Sequence, residues 1–125
     1  MNEKPAPRSA LSRLLFPTGD DPDPRFTLAN ERTFLSWMRT ALAFIAGGVA
    51  LEALPGAQVP EDLRSLAAVV AMGLGVLIAA GAAVRWLRVE RAMREQRPLP
   101  APAIVPVLSA GAILATIVVG VVLFA

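Results

Sequence analysis

The chain has 125 residues, 55% of them hydrophobic, and its 12 Lys and Arg against 10 Asp and Glu give a formal net charge of +2. Mean hydropathy is +0.57, high for a water-soluble domain, and the pI is near 10.4. There is no cysteine, histidine or tyrosine, which excludes disulfides, thiol chemistry and thiolate or imidazole metal sites.

Residues 1–8, MNEKPAPR, read as a disordered start. In 9–16, SALSRLLF, Leu11, Leu14 and Leu15 fall at helical spacing. Two readings fit this stretch: one or two turns lying on a membrane surface, or a disordered apolar patch. PTGDDPDPR follows, and its three prolines and three aspartates predict an extended linker. Residues 1–26 are thus expected to be a cytoplasmic disordered or interfacial segment ahead of a membrane domain over 27–125.

Three apolar blocks follow, at 35–54, 66–87 and 103–125, each at least 20 residues long. A hydrocarbon core of ~30 Å needs about 20 helical residues, and only helices or closed barrels satisfy every backbone group in lipid. The blocks lack the period-2 alternation of barrel strands. The second and third also lack the polar stripe of a soluble helix in their middles. The expected fold is an all-α membrane protein, three transmembrane helices packed as a bundle, with spans at about 33–54, 66–87 and 103–125. The first helix is expected to begin near 28–30, with Thr27 or Asn30 as N-cap, and to stop before Pro55-Gly56. The second starts around Pro60-Glu61-Asp62, where proline and acids suit a helix N-terminus. It continues through RWLRVERAMREQR, whose Glu90 and Arg94 stand at i,i+4. Running from Glu61 to Gln96 it would be ~54 Å long. Pro98, Pro100 and Pro102 end it, and the third span runs to Ala125.

Basic residues set the expected orientation. Five precede the first span (Lys4, Arg8, Arg13, Arg25, Arg32), and the first connection holds Arg64 alone. Arg85, Arg88, Arg91, Arg94 and Arg97 crowd the second connection, and none follows it. Lys and Arg accumulate in short cytoplasmic segments, so the N-terminus is expected inside and the C-terminus outside. The pI is then a matter of topology, and nucleic acid is not an expected partner. A cleaved secretory leader is the competing reading of the first span. Against it stand the length of the apolar run, the presence of Arg39 and a leader of more than 30 residues.

In lipid, small residues that let backbones approach do much of the packing. Ala67, Ala71, Gly75, Ala79 and Ala83 recur every four residues in the second span, as do Ala112, Thr116 and Gly120 in the third. The first carries Ala43 with Gly47 and Ala46 with Ala50. These faces predict packing within the bundle and self-association of chains.

Arg32 and Arg39 raise a separate question. At ~100° per residue, Ser36, Arg39, Ala43, Gly47 and Ala50 all lie within about 60° of Arg32 on a helical wheel. The charge is therefore expected to face helices or a cavity. Trp37, Ala41, Phe44, Ile45 and Gly48 fall on the far side. An arginine at mid-membrane costs about 2.5–3.5 kcal/mol on insertion scales. Two readings stand. Arg39 snorkels to headgroup phosphates or pairs with Glu31 or Glu90, or Arg32, Ser36 and Arg39 form an inward lining for an anion. The loop arginines, spaced by three, wrap around their helix and read as a phospholipid contact and orientation signal, with a dedicated polyanion groove as the alternative.

At ANERTFLSWMRT the chain resembles the YidH-like family of small three-span bacterial inner-membrane proteins of unknown function, related to the membrane domain of the vacuolar transporter chaperone. Asn30, Glu31, Arg32, Thr33 and Trp37 carry the resemblance, with Ala29, Phe34, Leu35 and Ser36, and Arg39 and Thr40 extend it. It covers about residues 25–125. It implies a multi-pass protein of the bacterial inner membrane, a three-span bundle and oligomerisation. In the vacuolar complex, basic residues of the first span line a polyphosphate path, and Arg32 matches one of them. The chain has no polymerase domain alongside this segment, so no polyphosphate synthesis is expected of it.

The polar residues within the spans (Ser36, Arg39, Thr40, Glu52, Ser109 and Thr116) do not combine a base, a nucleophile and an orienting group. An enzyme is not expected, and no cofactor is implied. The first expectation is an oligomeric scaffold or accessory subunit of a membrane complex, with anionic lipid headgroups, copies of itself and other membrane proteins as partners. The alternative is an oligomeric anion or polyphosphate pathway lined by the first-span arginines, taking lipid phosphate, inorganic phosphate or short polyphosphate.

Overall fold

A computed structural model describes residues 7–53, 58–103 and 105–113. Its helices are α1 (Ala10–Leu15), α2 (Pro24–Ala53) and α3 (Glu61–Arg94). Residues 105–113 are also helical, and no strand occurs among the described residues. Two helices, α2 and α3, are long and apolar enough to cross a membrane. The expected third span, 103–125, is helical over 105–113; residues 104 and 114–125, Thr116 and Gly120 among them, lie outside the described residues.

The start of α2 corrects the expectation. The helix begins at Pro24 rather than near residue 28, because Asp23 is the cap. Asp23 Oδ1 accepts from the Arg25 N–H at 2.9 Å and its carbonyl from Phe26 at 3.0 Å, while Pro24 sits at the first helical position, where a missing N–H costs nothing. Thr27 and Asn30, the expected caps, are inside the helix and serve other contacts. At ~45 Å and ~51 Å, α2 and α3 both exceed a ~30 Å hydrocarbon core. The end of α3 is a Schellman closure: Arg97 N–H donates to the Ala92 carbonyl at 2.9 Å and Gln96 N–H to Met93 at 3.3 Å. Gln96 takes a φ of 53° to make it, a conformation glycine adopts more cheaply.

The two long helices pack antiparallel, and the seam recurs every seven residues. On α3 the buried positions include Ala68, Gly75, Ala82 and Val89, and on α2 Ala41 and Gly48. This is a coiled-coil period. It differs from the four-residue period expected for α3: of that set Gly75 is buried, Ala71 and Ala79 are half-buried, and Ala67 and Ala83 are exposed. Two glycines make the contact reciprocal. A Cβ on Gly48 would stand 2.5 Å from Met72 Cγ and 2.7 Å from the Ala68 carbonyl oxygen. One on Gly75 would stand 2.6 Å from Ile45 Cγ1 and 2.7 Å from the Ala41 carbonyl oxygen. Each helix thus lays an Ala-to-Gly interval of seven residues against the other's, and backbone meets backbone. A larger side chain at either glycine would hold the helices apart.

One end of the hairpin is tied by Ser65, whose hydroxyl donates to the Glu52 carboxylate at 3.1 Å. The other end carries the polar contacts that organise the candidate site.

Candidate functional site

At the far end of the seam from Glu52, four side chains from α2 and α3 form a polar knot. Glu90 is 1% exposed. Its Oε1 accepts from the Thr27 hydroxyl at 3.2 Å and pairs with the Arg94 guanidinium at 3.4 Å. Asn30 Nδ2 donates to the Trp86 carbonyl at 3.1 Å. A buried carboxylate is costly unless paired and hydrogen-bonded, and here the sequence supplies both partners within one turn on each helix. Glu90 Oε2 and Trp86 Nε1 have no hydrogen-bond partner among the described residues, so Arg94 supplies the charge balance and Thr27 the alignment. Glu90 is therefore not the partner of Arg39 that the sequence allowed.

The segment before α2 closes over this knot. Ser9 caps α1 by accepting from Ser12 N–H at 3.2 Å. Phe16 is buried, edge-on to Trp86 with ring centroids 6.0 Å apart, and the Arg94 guanidinium lies 4.4 Å from the Phe16 centroid. Such a cation over a ring contributes about 0.5–2 kcal/mol. Arg94 also reaches Asp21 at 2.5 Å, Arg91 Nε donates to the Leu15 carbonyl at 3.4 Å, and Asp20 N–H donates to the Arg94 carbonyl at 3.0 Å. Gly19 makes the turn at φ 87°, and a Cβ there would collide with the Arg94 backbone. Thr18 donates to Glu95 at 3.0 Å. That hydrogen bond, with Arg97 beside it, outweighs partial desolvation and holds the Glu95 carboxyl below its usual value. Over 9–23 the lead is therefore an ordered strap, held at several points on α3: of the two readings for 9–16 the helical turns form, as α1, and they pack on α3 together with the linker that follows. The loop arginines divide their work accordingly: Arg91 and Arg94 bind the strap, and Arg97 pairs with Glu95.

The motif residues separate into two sets. Asn30 is buried in the knot, Thr33 donates to the Ala29 carbonyl of its own helix at 3.2 Å, and Trp37 is half-buried. Arg32, Ser36 and Arg39 are exposed, as are Ala43 and Ala50. Arg32 and Arg39 make no hydrogen bond or ion pair among the described residues. Gly47 has nothing within 4 Å of a built Cβ. The face that contacts α3 is the opposite one, containing Ala41, Ile45 and Gly48, which the wheel had assigned to the far side. The arginine face thus does not point into the α2–α3 seam. Glu31 lines an open apolar groove of about 470 Å³ with Phe34 and Trp86, and Ala112 is exposed. The strap and the Thr27–Glu90 contact went unforeseen in the sequence, although the i,i+4 pair of Glu90 and Arg94 was legible.

These features define a small helical protein with a hairpin of membrane-spanning length, locked at one end by a buried acid and a strap. Comparison with known proteins places it further. Residues 25–92 match the family described as a domain of unknown function (DUF202). The chain is 45% identical over 117 residues to the inner membrane protein YidH of Escherichia coli strain K12, covering 92% of this chain and 97% of that one, with the same figures for YidH of Shigella flexneri. It is also 46% identical over 84 residues to an uncharacterized protein of Mycobacterium tuberculosis, covering 66% and 68%. The chain belongs to this DUF202, YidH-like family. No solved structure matches it.

Proposed function

We propose that the chain is a multi-pass inner-membrane protein without catalytic chemistry, acting as an oligomeric scaffold or accessory subunit of a membrane complex. One observation carries the reading. The α2 face with Arg32, Ser36, Arg39, Ala43, Gly47 and Ala50 is turned away from α3 and exposed, though it lies on an apolar helix. Two guanidiniums on such a face need polar surroundings, and the small residues beside them allow a second helix to approach closely. A third span or a second copy meets both needs. The absence of native cysteine makes the test clean. Ala43→Cys should cross-link copies of the chain in native membranes under mild oxidation, whereas Leu63→Cys, also exposed but on the other helix, should not. Monomer alone for Ala43→Cys overturns the oligomer.

The second reading is an anion or polyphosphate pathway. It is favoured by the lack of any carboxylate paired with Arg32 or Arg39 among the described residues, and by the ability of guanidinium to hold phosphate in a bidentate way. Anion flux into reconstituted vesicles should fall for Arg39→Leu and persist in part for Arg39→Lys. Equal flux for both variants and the parent removes the pathway and leaves the scaffold.

A further inference from the structure

Among the grooves on the described surface, three differ in charge. The one beside Trp86 contains Glu31 and no basic residue. The one at the end of α3 contains Arg94 and Arg97 but also Asp20, Asp21 and Asp23, so its charge is answered internally. The third lies between α3 and the segment that follows it, has a volume of about 540 Å³ and contains Arg85 and Arg88 with no acid. Neither arginine makes a hydrogen bond or ion pair among the described residues. Its walls are otherwise apolar: Leu77, Ala80 and Val84 from α3, and Val107 from the helical stretch 105–113. Leu77 and Val107 are 70% and 69% exposed, so the groove is open along its length.

We infer that this groove is a binding site for one anionic phospholipid, its phosphate held by Arg85 and Arg88 and an acyl chain lying along Val84, Ala80 and Leu77. Charge selects the headgroup, since the mouth is wholly basic. Depth selects a lipid over a soluble anion. From Arg88 down to Leu77 is eleven residues, ~16 Å along the helix, about half of a ~30 Å hydrocarbon core and so one leaflet deep. A free phosphate would use only the top of this groove and leave the apolar walls unoccupied. The site adds a specific ligand to the diffuse attraction of a basic segment for anionic headgroups. It lies on the α3 side and is independent of the arginine face of α2.

The test reconstitutes the full chain in nanodiscs of phosphatidylcholine containing a minority of phosphatidylglycerol, then releases it and reads the bound lipids by native mass spectrometry. The parent chain should retain phosphatidylglycerol well above its bulk share. Arg85→Gln and Arg88→Gln should each lower that enrichment about tenfold, the loss of one charge-assisted contact. Ala80→Phe, which keeps both charges and fills the wall, should lower retention of both lipids. Circular dichroism confirms that the variants keep their helix. For a variant that loses helix, Arg85→Lys decides instead, and it should retain part of the enrichment. Absence of enrichment in the parent overturns the site, as does unchanged enrichment in the glutamine variants or in Ala80→Phe. Displacement of the lipid by excess inorganic phosphate would show a free-anion site and also overturn it.

Discussion

The α2–α3 seam is built in two ways along its length. In the middle, Ala41, Gly48, Ala68 and Gly75 bring the helices together by omitting side chains. At one end, Thr27, Asn30, Glu90 and Arg94 hold them with a buried charge and directed hydrogen bonds. The middle has no polar group to align, and lipid offers apolar side chains the same surroundings as another helix does. Close backbone contact is what remains to favour association. The end carries the strap and Arg94, and there directed bonds fix which turn of α3 faces which turn of α2. Shape gives the seam its closeness, and the polar end gives it its register.

The largest effect should come from breaking the polar end. Glu90→Ala leaves Arg94 mostly buried with exposed Asp21 as its remaining ion-pair partner, and should destabilise the hairpin by about 3 kcal/mol. Thermal unfolding in detergent micelles reads this, and Glu90→Gln should lose less because it still accepts from Thr27. In the middle, Gly75→Ala and Gly48→Ala should each cost about 1–3 kcal/mol, since the added methyl meets backbone that cannot yield without separating the helices. Their neighbours sharpen the contrast. Gly47→Ala and Gly73→Ala, with nothing within 4 Å of the new methyl, should be neutral or stabilising by up to about 1 kcal/mol. Equal costs at Gly47 and Gly48 in a monomeric preparation would refute the assignment of the seam.

Smaller effects probe the strap. Gly19→Ala should cost about 1 kcal/mol from φ alone, with added displacement from Arg94, and should expose residues 9–23 to protease while α2 and α3 stay protected. Thr18→Val removes the main cause of the lowered Glu95 carboxyl. Because that group is held below its ordinary value, its contribution is complete above the usual carboxylate range near 4.5 and is lost as pH falls through the lowered value. Protease sensitivity of the strap should rise on acidification below about pH 4 in the parent chain, and be less pH-dependent in Thr18→Val.

Helical structure, the end of the second long helix before Pro98, and the unbroken run of that helix from Glu61 into the basic segment were legible in the sequence. The i,i+4 pair of Glu90 and Arg94 was legible too. The buried face of the first long helix was not, because a wheel ranks faces by residue type and α2 carries small residues on both. Gly47 and Gly48 are adjacent and chemically identical, yet one is exposed and the other pressed against Met72. The strap escaped notice for a different reason. Its contacts join residues 70 or more positions apart, such as Arg94 with Asp21, and no local period announces them.

Composition and apolar run length alone determined that the long segments are helices of membrane-spanning size, since backbone groups in lipid must be satisfied within the segment. Prolines and caps determined where those helices stop. Only the tertiary structure decided which face of each packs, that the seam repeats every seven residues, and that Glu90 is buried between Thr27 and Arg94. Pairing of faces depends on complementary shape across two helices, and in a chain apolar on every side no stripe of sequence records which side meets which.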